Sequence, residues 1–138
     1  MQRDLTIGRL ARETGCKIPT IRYYEEIGLL PKPPRSEGNR RLYGSEHVAR
    51  LSFIQHCREL GFVQEEIREL LQLRDQPAMS CEGVTAITRV HLQDVNQRIE
   101  RLAALRTELE RMIDVCKGGS IAECRIIEAL AGYEPRRT

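Results

Sequence analysis

From Glu82 to Val115 the chain runs without a proline and, after Gly83, without a glycine. Leu102, Leu105, Leu109, Met112 and Cys116 recur along it at alternating three- and four-residue steps, the spacing that aligns side chains in one seam of a long helix. Upstream the seam continues less regularly through Val84, Ile87, His91 and Val95, with charged residues on its flanks. A helix of roughly 32 residues is about 48 Å long. In a chain of 138 residues nothing else is large enough to cover its apolar stripe. The helix therefore requires a partner helix, most simply its own copy.

The residues before it read as short elements. Residues 5–15 place Ile7, Leu10 and Ala11 on one helical face, with Thr6 as N-cap and Gly15 as the stop. Pro19 stands at the first position of a second helix, which continues through Thr20-Ile21-Arg22-Tyr23-Tyr24-Glu25-Glu26-Ile27 to Gly28. Two helices joined by a tight turn have helix-turn-helix spacing. In residues 31–43 the prolines exclude helix and Glu37-Gly38-Asn39 supplies turn chemistry, which predicts a small hairpin, or wing. Ser45 then caps a third helix to about Leu60, with Val48, Leu51, Phe53, Ile54 and Cys57 as its apolar positions and Gly61 ending it. A fourth, from Gln64 to about Arg74, turns Ile67, Leu70 and Leu71 inward before Asp75-Gln76-Pro77 breaks it.

After Cys116, Gly118 and Gly119 make a loop, and Ser120-Ile121-Ala122-Glu123 has the capping-box pattern that would start a last helix through about Ala131, ahead of a frayed tail from Tyr133. The expected organisation is mainly α. A winged helix-turn-helix domain (1–74), a linker (75–81) and a coiled-coil dimerisation helix (82–115) precede a loop, short helix and tail (116–138). With no Trp, four Tyr and two Phe, an aromatic-rich sandwich or barrel is disfavoured. No stretch nears the roughly 20 apolar residues of a membrane span and the N-terminus does not read as a signal peptide, so a cytoplasmic location is expected.

Charge and sulfur point to chemistry. Residues 1–50 hold 10 Lys+Arg against 6 Asp+Glu (+4), whereas residues 51–138 hold 12 against 14 (−2). A basic N-terminal half suits a polyanion. Arg22, Tyr23 and Tyr24 on the second helix, with Arg35, Asn39, Arg40, Arg41 and Tyr43 on or beside the hairpin, can converge on one face of duplex DNA. Solvated arginines and core tyrosines would show the same spacing. At least one of the adjacent tyrosines faces outward, because neighbours on a helix point about 100° apart.

Five cysteines without an export signal favour free thiols or metal ligands over a disulfide framework. Cys116 and Cys124 bracket the Gly-containing loop, which lets both turn toward one soft cation, and Cys124 falls in the first turn of the expected last helix, where thiolate is favoured. Cys81 precedes the long helix and Cys116 follows it, about 50 Å apart along one chain at 1.5 Å per residue. In an antiparallel self-pair that sets 81 opposite 116, Leu102 faces Val95, Leu105 faces Leu92 and Met112 faces Thr85. That dimer would bring Cys81 of one chain to Cys116 and Cys124 of the other, giving two equivalent three-thiolate sites. Cys16 and Cys57 lack metal-like spacing and read as structural; His47, His56 and His91 read as non-ligands, and Glu123 as the capping-box acid.

Thr20-Ile21-Arg22-Tyr23-Tyr24-Glu25, then Gly28-Leu29-Leu30-Pro31, Arg35 and Gly38-Asn39-Arg40-Arg41-Leu42-Tyr43, resembles the DNA-binding domain of the MerR family of transcription regulators. The set Cys81, Cys116 and Cys124 resembles its metal-sensing branch, and the likeness covers nearly the whole chain. It implies a homodimer on a pseudo-palindromic promoter whose spacer is too long for RNA polymerase. The metal-free dimer would repress; metal would shift it to bend and untwist the spacer and activate. The contacts it implies are Thr20, Arg22, Tyr23 and Tyr24 on the recognition helix, and Arg35, Asn39 and Arg40 in the wing.

Copper sensors of the family share the seven-residue interval between the loop cysteines but usually carry Ser at the position of Cys81. A third thiolate favours a divalent ion, cadmium or lead first, then mercury or zinc. The alternatives are a monovalent copper or silver sensor of the same family, or a thiol redox regulator without metal. An enzyme is disfavoured: a thiol oxidoreductase would want a C-x-x-C pair on a βαβ scaffold, and the chain has neither.

Overall fold

The computed structural model describes residues 4–35, 38 and 40–132. Among them are six α-helices, α1 (Ile7–Thr14), α2 (Ile18–Glu26), α3 (Ser45–Glu59), α4 (Gln64–Arg74), α5 (Glu82–Val115) and α6 (Arg125–Ala131), with a 3-10 turn at Ile121–Glu123. No described helix is long and apolar enough to cross a membrane. By packing, the chain forms one compact unit reaching to Thr88 and a second from Arg89 onward.

In the first unit the helix ends follow local chemistry. Thr6 accepts from the Arg9 N–H at 3.3 Å, capping α1 as its sequence predicts. Pro19 is the second residue of α2, not the first. The cap of α3 is Gly44 and not Ser45, which is already helical. The Gly44 N–H donates to His47 Nδ1 at 3.0 Å, so a ring three residues on supplies what an oxygen usually does. Glu66 does the same for α4, accepting from the Val63 N–H at 2.9 Å.

Leu10 (α1), Ile21 and Tyr24 (α2), Leu51 and Ile54 (α3) and Leu71 (α4) meet in one core with Leu29 and Leu30. Each such aliphatic side chain stabilises the unit by about 1.5–3 kcal/mol. The core closes at an antiparallel bridge where Leu5 and Tyr43 exchange two 2.8 Å hydrogen bonds. A second bridge joins Arg35 to Arg41; the expected turn residues Glu37 and Asn39 lie outside the described residues, as does the tail from Tyr133. Two arginines hold the end of α2: Arg50 Nε donates to the Leu29 carbonyl at 2.8 Å and Arg68 Nη2 to the Ile27 carbonyl at 2.7 Å. Arg50 also reaches both Asp75 carboxylate oxygens at 3.1 Å. The first turns of α5 belong to this unit, with Ile87 against the core. Leu73 Cδ1 lies 3.2 Å from where a Cβ on Gly83 would stand, so a larger residue there would make the Leu73 side chain give by a few tenths of an ångström.

In the second unit the rest of α5 leads into the loop. The last helix begins at Arg125, with Cys124 as its N-cap; the expected start at Ser120 is replaced by the separate 3-10 turn. Cys124 is extended (φ −71°, ψ 117°), which interrupts the helix, and Ser120 makes no side-chain cap. Gly118 and Gly119 adopt φ of 84° and 105°, values that strain any residue with a Cβ.

Candidate functional site

Two regions carry chemistry. The first is the face shared by α2 and the arms around it, where Thr6, Ile7, Arg22, Glu25, Glu26, Lys32, Arg40, Arg41 and Tyr43 line a groove of about 750 Å³. Four cations against two carboxylates leave it net positive. Arg22, Tyr23, Arg35 and Arg40 are exposed and Thr20 is half-buried. Tyr23 is 48% exposed, its hydroxyl 3.3 Å from Gln64 Oε1.

Two expected contact residues instead lie in the core. Tyr24 is buried and its hydroxyl accepts from Arg58 Nη1 at 2.7 Å. The 100° step along α2 that exposes Tyr23 turns Tyr24 inward. Tyr43 is wholly buried, and its hydroxyl donates to Glu25 Oε1 at 2.6 Å. Burial first, and then the Glu25 hydrogen bond and charge, push the phenol up to about 12, with Arg41 opposing. Arg41 Nη1 lies 2.7 Å from Glu25 Oε2. Sequence reasoning missed Glu25 as a working residue. The signal was available, for Glu25 is four residues after Ile21 and shares its inward face.

The second region is the thiol pair. Cys116 directly follows α5, its N–H donating to the Ile113 carbonyl at 3.2 Å, and the glycine turn brings the chain back to Cys124. The two sulfurs are 3.9 Å apart and both residues are half-buried. Sulfurs this close could both bond one soft cation, for which thiolates are the preferred ligands.

Backbone N–H groups serve Cys116. That of Gly118, then the Cys124 thiol, then the N–H groups of Arg125 and Ile126 hold its thiol below the ordinary range, against slight burial. Cys16 and Cys57 are buried and burial pushes both thiols up, in Cys16 against the Arg58 charge and the Lys17 N–H. In reduced, metal-free protein near pH 7.5, iodoacetamide should therefore alkylate Cys116 well before Cys16 or Cys57, because only thiolate reacts. Peptide mapping of a time course checks the order; equal rates would contradict it.

Cys81 is exposed immediately before α5, its carbonyl accepting from the Thr85 N–H and Oγ1 at 3.0 and 3.1 Å. Among the described residues of one chain, no three Cys, His, Asp or Glu side chains gather as a metal site. Along α5, Leu92, Ile99, Leu102, Leu105, Leu109 and Ile113 are all exposed, while His91 and Met112 are buried.

Comparisons with known proteins follow these two regions. A family described as MerR HTH family regulatory protein matches residues 5–74, and one described as MerR, DNA binding matches residues 48–112. The chain is 44% identical over 105 residues to the HTH-type transcriptional regulator ZntR homolog of Haemophilus influenzae, covering 76% of this chain and 78% of that one. It is 38% identical over 136 residues to the mercuric resistance operon regulatory protein of Serratia marcescens, covering 96% and 92%. The crystal structure of the transcription regulator PbrR691 from Ralstonia metallidurans CH34 in complex with lead(II) superposes with a TM-score of 0.81 at 41% identity, over 91% of this chain and 98% of that one.

Proposed function

Because this chain belongs to the MerR family of helix-turn-helix regulators, we propose that it is a metal-responsive transcriptional regulator, a homodimer that binds promoter DNA and answers a thiophilic divalent cation. The observation that carries the reading is the sulfur pair Cys116 and Cys124, held 3.9 Å apart at the end of a helix whose apolar stripe is uncovered in one chain.

The stripe requires a second copy, and antiparallel pairing buries it while bringing Cys81 of one subunit to the loop of the other. Two sulfurs from the loop and one from the partner complete a three-thiolate set. When bound, a soft cation supplies a link between the two chains, strongest for soft thiolate-seeking ions. The third thiol favours cadmium or lead, then mercury or zinc, over monovalent copper or silver. The relatives named above include a regulator of mercuric resistance and one solved with lead(II).

On the DNA side, Arg22, Thr20 and Tyr23 on α2 enter the major groove and Arg35, Asn39 and Arg40 take flanking phosphates. Tyr24 and Tyr43 brace this surface from within. Two such surfaces related by the dimer axis read a pseudo-palindrome. The metal-free dimer holds the promoter in a repressing form; the cross-linked dimer favours the state that bends and untwists the spacer for RNA polymerase. A cation does this only by binding that state more tightly.

Titration of reduced dimer with Zn, Cd, Pb, Hg and Cu(I), read in parallel by thiolate charge-transfer absorption and promoter transcription, tests the proposal. A divalent ion should raise both signals together. Transcription switched by diamide, with no response to any metal, would instead establish a redox regulator. Separately, Arg22→Ala should weaken binding to the cognate promoter duplex by about 1–3 kcal/mol at moderate salt. Unchanged affinity in an anisotropy titration would remove α2 from the interface.

A further inference from the structure

The DNA-binding role leaves one buried charge unused. Glu25 lies on α2, the helix that carries Arg22, and its side chain is 1% exposed. One carboxylate oxygen accepts from Arg41 at 2.7 Å and the other from Tyr43 at 2.6 Å. Both partners stand on the arm that returns from the basic loop, 16 and 18 residues along the chain. Tyr43 is itself fixed by its bridge to Leu5 and by its ring against His47, centroids 5.2 Å apart. Arg41 in turn bridges Arg35.

A buried anion in a groove suited to phosphate is costly on charge alone, since it opposes every nearby backbone phosphate. Desolvating a carboxylate adds to that cost unless it is paired. Here it is paired twice, and both pairs join α2 to the arm. If affinity for any duplex were the only requirement, a neutral residue would serve better and leave Arg41 to bind phosphate.

We infer that Glu25 is a positioning and specificity-determining residue. It withholds the Arg41 guanidinium from phosphate and fixes the arm against α2, so that Arg22 and Arg40 meet a cognate duplex in register while random DNA finds one charge fewer. This rests on the proposal that the α2 face binds DNA, and the test separates the two. Full-length, reduced, metal-free protein is used to enrich a duplex from a random library; that duplex and a scrambled version are then titrated by anisotropy across a salt series. If wild type enriches no sequence, the DNA reading itself fails.

Glu25→Gln keeps the shape and removes the charge. Its binding to the scrambled duplex should strengthen, and the slope of log K against log salt should steepen by about 0.9, one additional phosphate neutralised. The cognate-to-scrambled ratio should fall at least tenfold. Adding Arg41→Gln should return the scrambled-duplex slope to wild type without restoring the ratio. A ratio within twofold of wild type, or a fallen ratio with an unchanged scrambled slope, overturns the inference. Should Glu25→Gln not fold by circular dichroism, Arg41→Gln alone decides: an unchanged scrambled slope supports the inference, and a slope shallower by about 0.9 shows Arg41 to be a phosphate contact and overturns it.

Discussion

Two subunits that each fail to sense metal should restore sensing when mixed. In the proposed intersubunit site, a Cys81→Ser homodimer keeps Cys116 and Cys124 in both loops but lacks the partner's third sulfur, and a Cys116→Ser homodimer loses a loop sulfur from both sites. Loss of a direct thiolate should weaken metal binding by more than about 100-fold, the upper end of what losing a mere outer-shell partner costs. In the mixed dimer, the loop of the Cys81→Ser chain faces an intact Cys81 across the axis, so one site is whole and the other has lost two ligands. Random re-pairing makes half the dimers mixed, so tight sites should return to about one quarter of the wild-type stoichiometry by two-fold symmetry. Thiolate absorption at limiting metal reads this directly. If Cys81→Ser alone binds like wild type, the site lies within one chain, where the described residues gather no third Cys, His, Asp or Glu beside the pair, and the intersubunit reading fails.

The second large effect should come from the α5 seam. Leu105 is 59% exposed in one chain, as is Leu109, and Leu102 is 65% exposed. Burying a leucine contributes about 1.5–3 kcal/mol, and a two-fold interface contains each position twice. Leu105→Lys should therefore cost the dimer roughly 3–6 kcal/mol before any penalty for burying the ammonium, raising its dissociation constant roughly 10²- to 10⁴-fold. Sedimentation velocity at micromolar protein should show monomer, with metal and operator response lost together. Thr107→Lys, on the opposite face, should remain dimeric. A dimeric Leu105→Lys would move the interface off this seam.

Much of the fold was legible because it is decided by neighbours along the chain. The run between Glu82 and Val115 contains only helix-compatible residues after Gly83, and α5 has those ends. Likewise α4 spans Gln64 to Arg74, with Ile67, Leu70 and Leu71 buried at helical spacing. Thr6 and Gly15 close α1, the one by its hydroxyl and the other by a φ of 72°. The misreadings occurred where a backbone torsion outweighed a pattern. At Gly44 an extended backbone and the His47 ring make the cap beside a serine that looks better suited. At Cys124 one extended residue divides a permissible helical run into a 3-10 turn and α6.

The site divides in the same way. Residue types and spacing alone put arginines beside a helix-turn-helix, bracketed a glycine loop with two cysteines and left an apolar stripe without cover, since all three depend on identity and period. Which of two adjacent tyrosines enters the core, whether Arg41 meets solvent or Glu25, and that the loop closes to a 3.9 Å sulfur separation were settled by packing. A helical or turn pattern is a sum over residues three or four apart. The direction of a side chain and the partner of a buried charge depend on elements 16 or more residues away, and those are set only when the core closes around them.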